Sequence, residues 1–553
     1  MKKSSIRRIA LAIVLIMVLG LVAACAPAAP TPPPAPATPT PPAGGGDAPA
    51  VGIAPEVPEA AEGANFSREI DIIIDNNNIA VLNPFNPASN QAPNNWTFVM
   101  IYDRLLNIAG EGRFSPGLAV DWQTDDYQTF NFTLRQGVTF HNGDPFTAED
   151  VAWTIEASRD GIGSQAHDQW RPIVEVNVIS RYEIQFVLDD VNVDFYFNMA
   201  MPMAGIVNRR AMTEDPENGT WIGTGAFMVY RFVSGDYVVM RRNDNWWNNV
   251  ENGGERTVPT EQVTLRFVPE VPARAIMLRN LEVQLSFSTG AEDTPFFEAS
   301  PDFTVWPLIF NNPQGLSFNM RHPITGCWYF RRAVMSAVDR AEIAMVAAGE
   351  WAIGDTTSGT HWGFATEFRN NDIPMVPYDL ERAKYYLERS AWNGETITIS
   401  TAIVTNIRAS EQFQEQMRRI GLPIEINQTD SATLAALVRY GNEEKQMSFF
   451  NTLMSMNSGS VRHAFVPYGA QNRGSYNNPI VTDMFNEARR TTDIDARRAI
   501  YMEIQEIIAE DPPLVNIHWR KNPIIGARGV GGMYLPNDHH HTDLRGVFWD
   551  LDA

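Results

Sequence analysis

The stretch from Leu118 to Glu156 constrains the fold of this chain more than any other. It reads Leu-Ala-Val-Asp-Trp-Gln-Thr-Asp-Asp-Tyr-Gln-Thr-Phe-Asn-Phe-Thr-Leu-Arg-Gln-Gly-Val-Thr-Phe-His-Asn-Gly-Asp-Pro-Phe-Thr-Ala-Glu-Asp-Val-Ala-Trp-Thr-Ile-Glu. Asp125-Asp126 marks a turn, and Phe130, Phe132 and Leu134 then alternate inward, the period of a half-buried strand. His141-Asn142-Gly143-Asp144-Pro145 is a second turn. Thr147 is placed to cap a helix, with Asp150 completing a capping box before Val151, Ile155 and Ser158 take up helical spacing. A strand, a turn and a capped helix could belong to many folds, but strand-like pieces such as 182–188 and 263–268 alternate with capped helices further along, which argues for a mixed α/β architecture.

The start of the chain places it in a cell. Lys2, Lys3, Arg7 and Arg8 precede an unbroken apolar run from Ile9 to Leu19, and Val22-Ala23-Ala24 leads into Cys25. This reads as a secretory signal peptide over 1–24, because the run is short of the roughly 20 residues that a spanning helix needs. Its ending resembles a bacterial lipobox, in which Cys25 is lipidated and anchors the mature chain to the outer face of the cell membrane. From Cys25 to residue 62 the chain is nearly all Ala, Pro, Thr and Gly. Prolines fix φ and remove donors, so a disordered tether that lifts a body off the membrane is expected.

Roughly 490 residues of globular composition follow, within a chain of 553 that is 44% hydrophobic. That exceeds one core of about 250–300 residues, so at least two lobes are expected. The net charge is −22, and removing the four basic residues of the leader makes it four units more negative. Nucleic acid and anionic membrane surfaces are therefore poor partners. Only Cys327 remains after Cys25, so no internal disulfide can form; flanked by Trp328 and Tyr329, it reads as a buried hydrophobe.

The stretch Leu118–Glu156 closely resembles the signature of the family 5 solute-binding proteins of ABC importers, which include receptors for oligopeptides, dipeptides, nickel and some oligosaccharides. Further motifs follow in the same order. Ile222-Gly-Thr-Gly-Ala-Phe-Met-Val-Tyr230, a turn at Gly235-Asp236 and Asn243-Asp-Asn-Trp-Trp247 form a hairpin reading; a nucleotide loop at Gly223 and Gly225 would need a third glycine and a following helix. Gly315-Leu-Ser-Phe-Asn-Met320 resembles the strand that opens the family's second lobe. Phe330-Arg-Arg-Ala-Val-Met-Ser-Ala-Val-Asp-Arg-Ala-Glu-Ile343 resembles its helix pair, with Ala333, Ser336 and Ala337 on one close-packing face and Asp339 as a cap. Asp379 opens another helix with Leu380, Ala383, Tyr386 and Leu387 on one stripe. Ile397–Ser400, a helix over 410–420 stopped by Gly421, and Ile424–Ile426 make a βαβ unit. Tyr476-Asn-Asn-Pro479 and Glu510-Asp-Pro-Pro-Leu514 match the closing region, so the resemblance covers most of 65–530.

The resemblance implies a two-lobed periplasmic-binding-protein fold, type II-like, with an extra subdomain inserted in lobe one. Lobe one is expected over 65–310 and 511–553, the insertion near 110–215, and lobe two over 311–510. It also implies a monomer that closes over a small-molecule solute, an oligopeptide by family habit, and presents it to ABC permease subunits, with no cofactor.

The ligand is where the chain departs from that pattern. Peptide receptors of this kind carry, late in lobe two, a tryptophan and an acidic motif that neutralises the peptide amine. Here the region reads Phe449-Phe-Asn-Thr-Leu-Met-Ser-Met-Asn-Ser-Gly-Ser460, with neither. A buried ammonium without a counter-charge costs several kcal/mol, so an oligosaccharide stands as the alternative solute, although acidic residues elsewhere can serve an amine. The candidate ligand-binding residues are Trp96, Trp351, Trp362, Phe449, Asn451, Met454, Asn457 and Tyr468: flat faces for rings and neutral polar or soft groups for a cleft. For any one tryptophan, plain packing is the competing reading. His539-His540-His541 reads as a loop or surface cluster, because three adjacent residues cannot all face one ion from regular structure, and nickel binding stays a minor alternative. No catalytic motif for a protease, an α/β hydrolase or a nucleotide hydrolase is present, so a receptor and not an enzyme is expected. The contrasting classes are a lipid-anchored hydrolase, which would turn a glycan or peptide over, and an adhesive surface lipoprotein, which would not close on solutes.

Overall fold

The computed structural model describes residues 57–553 apart from 60–62, 75–81, 86–91, 109–113, 161–169, 288, 291, 310, 312, 355–357, 403, 452–456, 470 and 537–540. The leader, Cys25, all of the tether but residues 57–59, Met454, His539 and His540 lie outside the described residues.

A mixed sheet of twelve strands runs through the molecule, and its two ends serve two separate cores. The first half is built on Glu69–Ile74, whose near-continuous apolar run suits a strand buried on both faces. It pairs in parallel with Gln262–Phe267 and with Leu285–Ser286. The expected hairpin adds Phe227–Val233 and Tyr237–Arg242, antiparallel, with Gly235 at φ 77° in its turn. Ile70, Ile72, Val238, Met240, Val263 and Leu265 form the core there, together with Trp96 and Trp246.

In the second half, Ile397–Thr401 pairs in parallel with Ile424–Gln428 and with Met447–Asn451, confirming the βαβ unit. Its helix runs Val404–Arg418, earlier at both ends than expected, and Gly421 at φ 79° turns the chain. Packing sets the helix length: Ala409, Phe413 and Met417, four residues apart, form the buried stripe. Both predicted caps are made. Asp339 Oδ1 accepts from Glu342 N at 3.0 Å to open Arg340–Ala348, and Asp379 Oδ1 from Arg382 N at 2.9 Å to open Leu380–Leu387. Ala333, Ser336 and Ala337 are fully buried in Trp328–Ala337. Cys327 just before that helix is only partly buried, because it sits at the helix entrance and not on its packed face.

The segment carrying the signature forms a body of its own. Ala119–Gln123, Thr129–Leu134, Glu183–Leu188 and Ile173–Ser180 make a four-stranded antiparallel sheet in that order. Phe130, Phe132, Phe186 and Phe195 pack with Val151 and Ile155 of the helix Ala148–Asp160. The Asp150 carboxylate accepts from Thr147 N at 3.0 Å and from its hydroxyl at 2.9 Å, so the box closes through the acid and the hydroxyl acts as donor.

What ties the two halves together is the strand Leu514–Ala527. Its first part pairs with Gln314–Phe318 and Ala352–Gly354 of the second half. Its last part pairs with Phe303–Ile309 and Leu285–Ser286 of the first. The chain crosses a second time between 309 and 314, so two adjacent crossings make a ribbon. On it Pro307 stands opposite Pro523, a rung at which neither residue has an N–H to give. Among the described residues no helix is long and apolar enough to cross a membrane.

Candidate solute site between the two halves

The motifs that carry the resemblance turn out to be one interlocked joint. A Cβ on Gly223 would stand 2.0 Å from the Ile101 carbonyl oxygen, and one on Gly225 would stand 2.5 Å from that of Met100. Glycine is needed there for close passage against the helix Ala92–Ile101. His141 of the signature clasps the same loop: Gly223 N donates to its Nδ1 at 3.2 Å, and its Nε2 lies 3.0 Å from Gly225 O. These bonds fix the proton on Nε2 and hold the ring neutral, with burial pushing its pKa down. Nearby, the buried Asp103 carboxylate accepts from Trp246 and Trp247 Nε1 at 3.1 and 2.8 Å and from Thr224 Oγ1 at 3.1 Å, and pairs with Arg545 at 3.3 Å. The joint is structural and its polar groups face one another.

The seam between the halves has different contents. At the ribbon, the pairing of Gln314 with His518 precedes a register shift at Gly315. Both side chains are buried, yet Gln314 Oε1 and both ring nitrogens of His518 have no hydrogen-bond partner. Burial drives the His518 pKa down to about 4, so the ring is neutral at physiological pH and offers one donor and one acceptor. Unmet polar capacity in a dry place costs about 1–3 kcal/mol per group unless something arrives to use it.

Away from the ribbon, the inserted body meets the second half. Val193 N donates to Arg489 O at 3.0 Å. Arg490 pairs with Asp190, and Asn457 Nδ2 donates to Asp194 Oδ1 at 3.1 Å. Glu367 Oε1 lies 3.3 Å from the same nitrogen. On another part of the seam Arg408 pairs with Glu292 at 3.1 Å.

The residues expected to line the cleft fall in different places. Trp96 is buried in the first core with its ring 4.7 Å from Phe287. Trp362 is buried in the second half, stacked between Phe465 and Phe485 at 5.8 and 6.2 Å, with Nε1 donating to Ser458 Oγ at 3.1 Å. Phe449 packs in the second half's core, 6.4 Å from the His518 ring. These three fill cores. Trp351 ends the short turn Gly349–Trp351 and is partly exposed. Asn451 closes the strand Met447–Asn451, opposite Gln314. Tyr468 is 83% exposed at φ 60°, a left-handed conformation uncommon for a bulky residue, and leans on Tyr440 at 4.7 Å. Among the described candidates, Asn457 is the one seen to bridge the halves. Its two acidic neighbours are 263 and 90 residues distant in sequence, and no local pattern announces them. His541 is buried with its ring 6.4 Å from that of Phe197, and among the described residues no group of acidic, histidine and cysteine side chains is gathered to hold a metal.

The model of the bacterial extracellular solute-binding proteins, family 5, matches residues 113–474. The chain belongs to that family. Its relatives include the nickel-binding periplasmic protein of Escherichia coli strain K12, 24% identical over 83% of this chain and 91% of that one. A di/tripeptide-binding protein of Pseudomonas aeruginosa strain UCBPP-PA14 is 24% identical over 75% and 82% respectively. Among solved structures, the periplasmic binding protein DppA of Helicobacter pylori with a bound peptide superposes with a TM-score of 0.75 at 20% identity, covering 88% of this chain and 98% of that one. The expected two-lobed α/β fold is therefore correct. These family 5 proteins are binding receptors and not enzymes, and this chain stands among them as an ABC-type solute-binding protein.

Proposed function

We infer that this family 5 protein captures an oligopeptide between its two halves and hands it, unchanged, to ABC permease subunits. The observation that carries the reading is the ribbon: two crossings join halves that otherwise keep separate cores, the arrangement a hinge needs. The lobes are assigned as 65–310 and 311–510, with the insertion near 110–215. The return to lobe one begins at about residue 521, where pairing with Ile309 starts.

Solute would lie at the seam, where Gln314 and His518 offer unused donors and acceptors to amide groups. Asp194 and Glu367 supply acidity that the stretch 449–460 lacks, and relatives that bind peptides support the choice. An oligosaccharide finds less support, since Trp96 and Trp362 are occupied in packing. The leader ending at Ala24, the lipid on Cys25 and the tether to residue 62 would hold a monomer outside the cytoplasm, next to its permease.

Thermal denaturation of the full chain with a tryptic casein digest, an oligosaccharide mixture or nickel with histidine tests the assignment. A component present at a hundred times its Kd adds about 2.7 kcal/mol of stability. Stabilisation by the digest alone is expected. Stabilisation by sugars or by nickel–histidine instead would overturn the peptide assignment, and release of product from any of them would overturn the receptor.

A further inference from the structure

Asn457 caps the short helix Ser458–Val461, its Oδ1 accepting from Ser460 N at 3.1 Å. That bond aims its Nδ2 away from the helix, and the nitrogen reaches two carboxyls at once: Asp194 Oδ1 at 3.1 Å and Glu367 Oε1 at 3.3 Å. Asp194 comes from the inserted body, at the head of Phe195–Ala200, and makes no cap bond of its own. Glu367 belongs to the second half and also accepts from Ser458 N at 3.3 Å. The fit is tight, because a Cβ on Gly459 would stand 2.1 Å from Asp194 Oδ2. Two acids from separate bodies therefore share one amide group only while those bodies are in contact.

Like charges this close, partly shielded from water, raise one another's proton affinity. Arg489 and Arg497 face Asp194, and Arg497 also faces Glu367; Tyr501 lies beside both acids with Arg462 behind it. The arginines oppose the effect without reversing it: burial pushes the Asp194 carboxyl up, and burial followed by the Asp194 charge pushes up that of Glu367.

We propose that docking of Asp194 onto Asn457 and Glu367 takes up one proton from solvent, so that closing of the two halves is a proton-linked step. The idea rests on the receptor reading, since it needs halves that part. In the open form both acids face water at their ordinary values of 3.8 and 4.5 and are ionised at neutral pH. On closing, an O–H bond forms on one carboxyl and the remaining negative charge is shared around the Asn457 amide. The contribution to closure is complete below the ordinary values and is lost as pH rises through the raised ones.

Electron–electron distance measurement between nitroxides tests this on the full chain, carrying C25S and C327S, with labels at I179C and I494C. Those positions are 60% and 54% exposed, one on the inserted sheet and one on the second half. Without added solute, the short-distance population of the otherwise unaltered protein is expected to grow as the pH falls from 8 towards 4, by at most about tenfold per pH unit in the closing constant. Asp194→Asn keeps the size and hydrogen bonding of the side chain and should flatten that response, and Glu367→Gln should do the same. An unchanged distribution across pH, or an undiminished response in D194N, would overturn the proposal. Adding the casein digest separates it from the receptor reading: a pH response without a digest response sinks peptide capture alone, whereas a digest response without a pH response sinks the proton alone.

Discussion

Two of the places where the halves touch are made of different materials. The ribbon is held by main-chain pairing over apolar side chains: Ile517, Ile524 and Ile525 are fully buried along Leu514–Ala527, beside the buried Gln314 and His518, and the ladder bonds there exist whether or not any side chain is ionised. The seam at Asp194 is side chain and charge, with Asp190, Glu367, Asn457 and Arg490 meeting in partly wet surroundings. A ladder inside a dry core holds permanently, while ion pairs and amide bonds near water exchange for hydration at little net cost. On the proposed reading, one contact stays while the other is made and broken.

The sharpest way to break this contrast is to weaken the ribbon. Ile525→Ala removes a fully buried side chain that packs with Ile73, Leu278 and Phe297, and should cost about 2–5 kcal/mol in urea unfolding. A loss below 1 kcal/mol would mean that the crossing strand is not part of a permanent core. Next comes a strongly shifted lysine. Lys445 is buried against the ribbon's neighbour strand, with Nζ donating to Ser317 Oγ at 2.6 Å and to the Arg473 carbonyl. Burial lowers its pKa from 10.5 to about 7. The unfolded chain then binds the extra proton between pH 7 and 10.5, so stability should rise with pH across that window, by on the order of a few kcal/mol. Lys445→Met should lose the rise, and urea midpoints at pH 7, 8.5 and 10 read it. The sign is opposite to that at the seam, where acid favours contact.

Gly459→Ala places a methyl against Asp194 Oδ2 and should weaken closure by about 1–3 kcal/mol while leaving the urea midpoint within error. Spin-label distances shifted towards the open form at both pH 5 and pH 8 would confirm it, and an equal loss of global stability would show the seam to be core after all. Asp190→Ala, which removes an exposed partner of Arg490, should change digest affinity by only about 0.2–1 kcal/mol in titration calorimetry.

Local signals in the sequence were enough to place much of this fold. Thr147 with Asp150, Asp339, Asp379 and Gly235 act within a few residues of themselves, and each begins an element or makes a turn where expected, while Gly421 turns the chain just past a helix that ends two residues early. The family motifs were legible for a related reason, since Gly223, Gly225 and His141 answer to steric demands that admit few substitutes. The crossing strand was harder to see. Pro523 within it argues against a central strand, yet it stands on a ladder rung opposite a second proline, Pro307. The site was least legible. Trp96, Trp362 and Phe449 have the size a cleft wants, but that same size makes them the best fillers for a core. Asp194 and Glu367 sit in unremarkable local sequence and acquire their properties from a neighbour that the fold brings from far along the chain.

The facing prolines bear on where the work of opening is done. A sheet that flexes must usually stretch or surrender main-chain bonds at the crease, and each one lost inside a core is expensive. At Pro307 and Pro523 there is no amide hydrogen to surrender, so twisting there meets little electrostatic resistance. With the proposed hinge pivoting there, a few degrees of turn would cost the crease little and sweep the distant rims widely. How firmly this molecule grips would then be decided almost entirely at its edges, by whatever solute, proton or ion pair waits there.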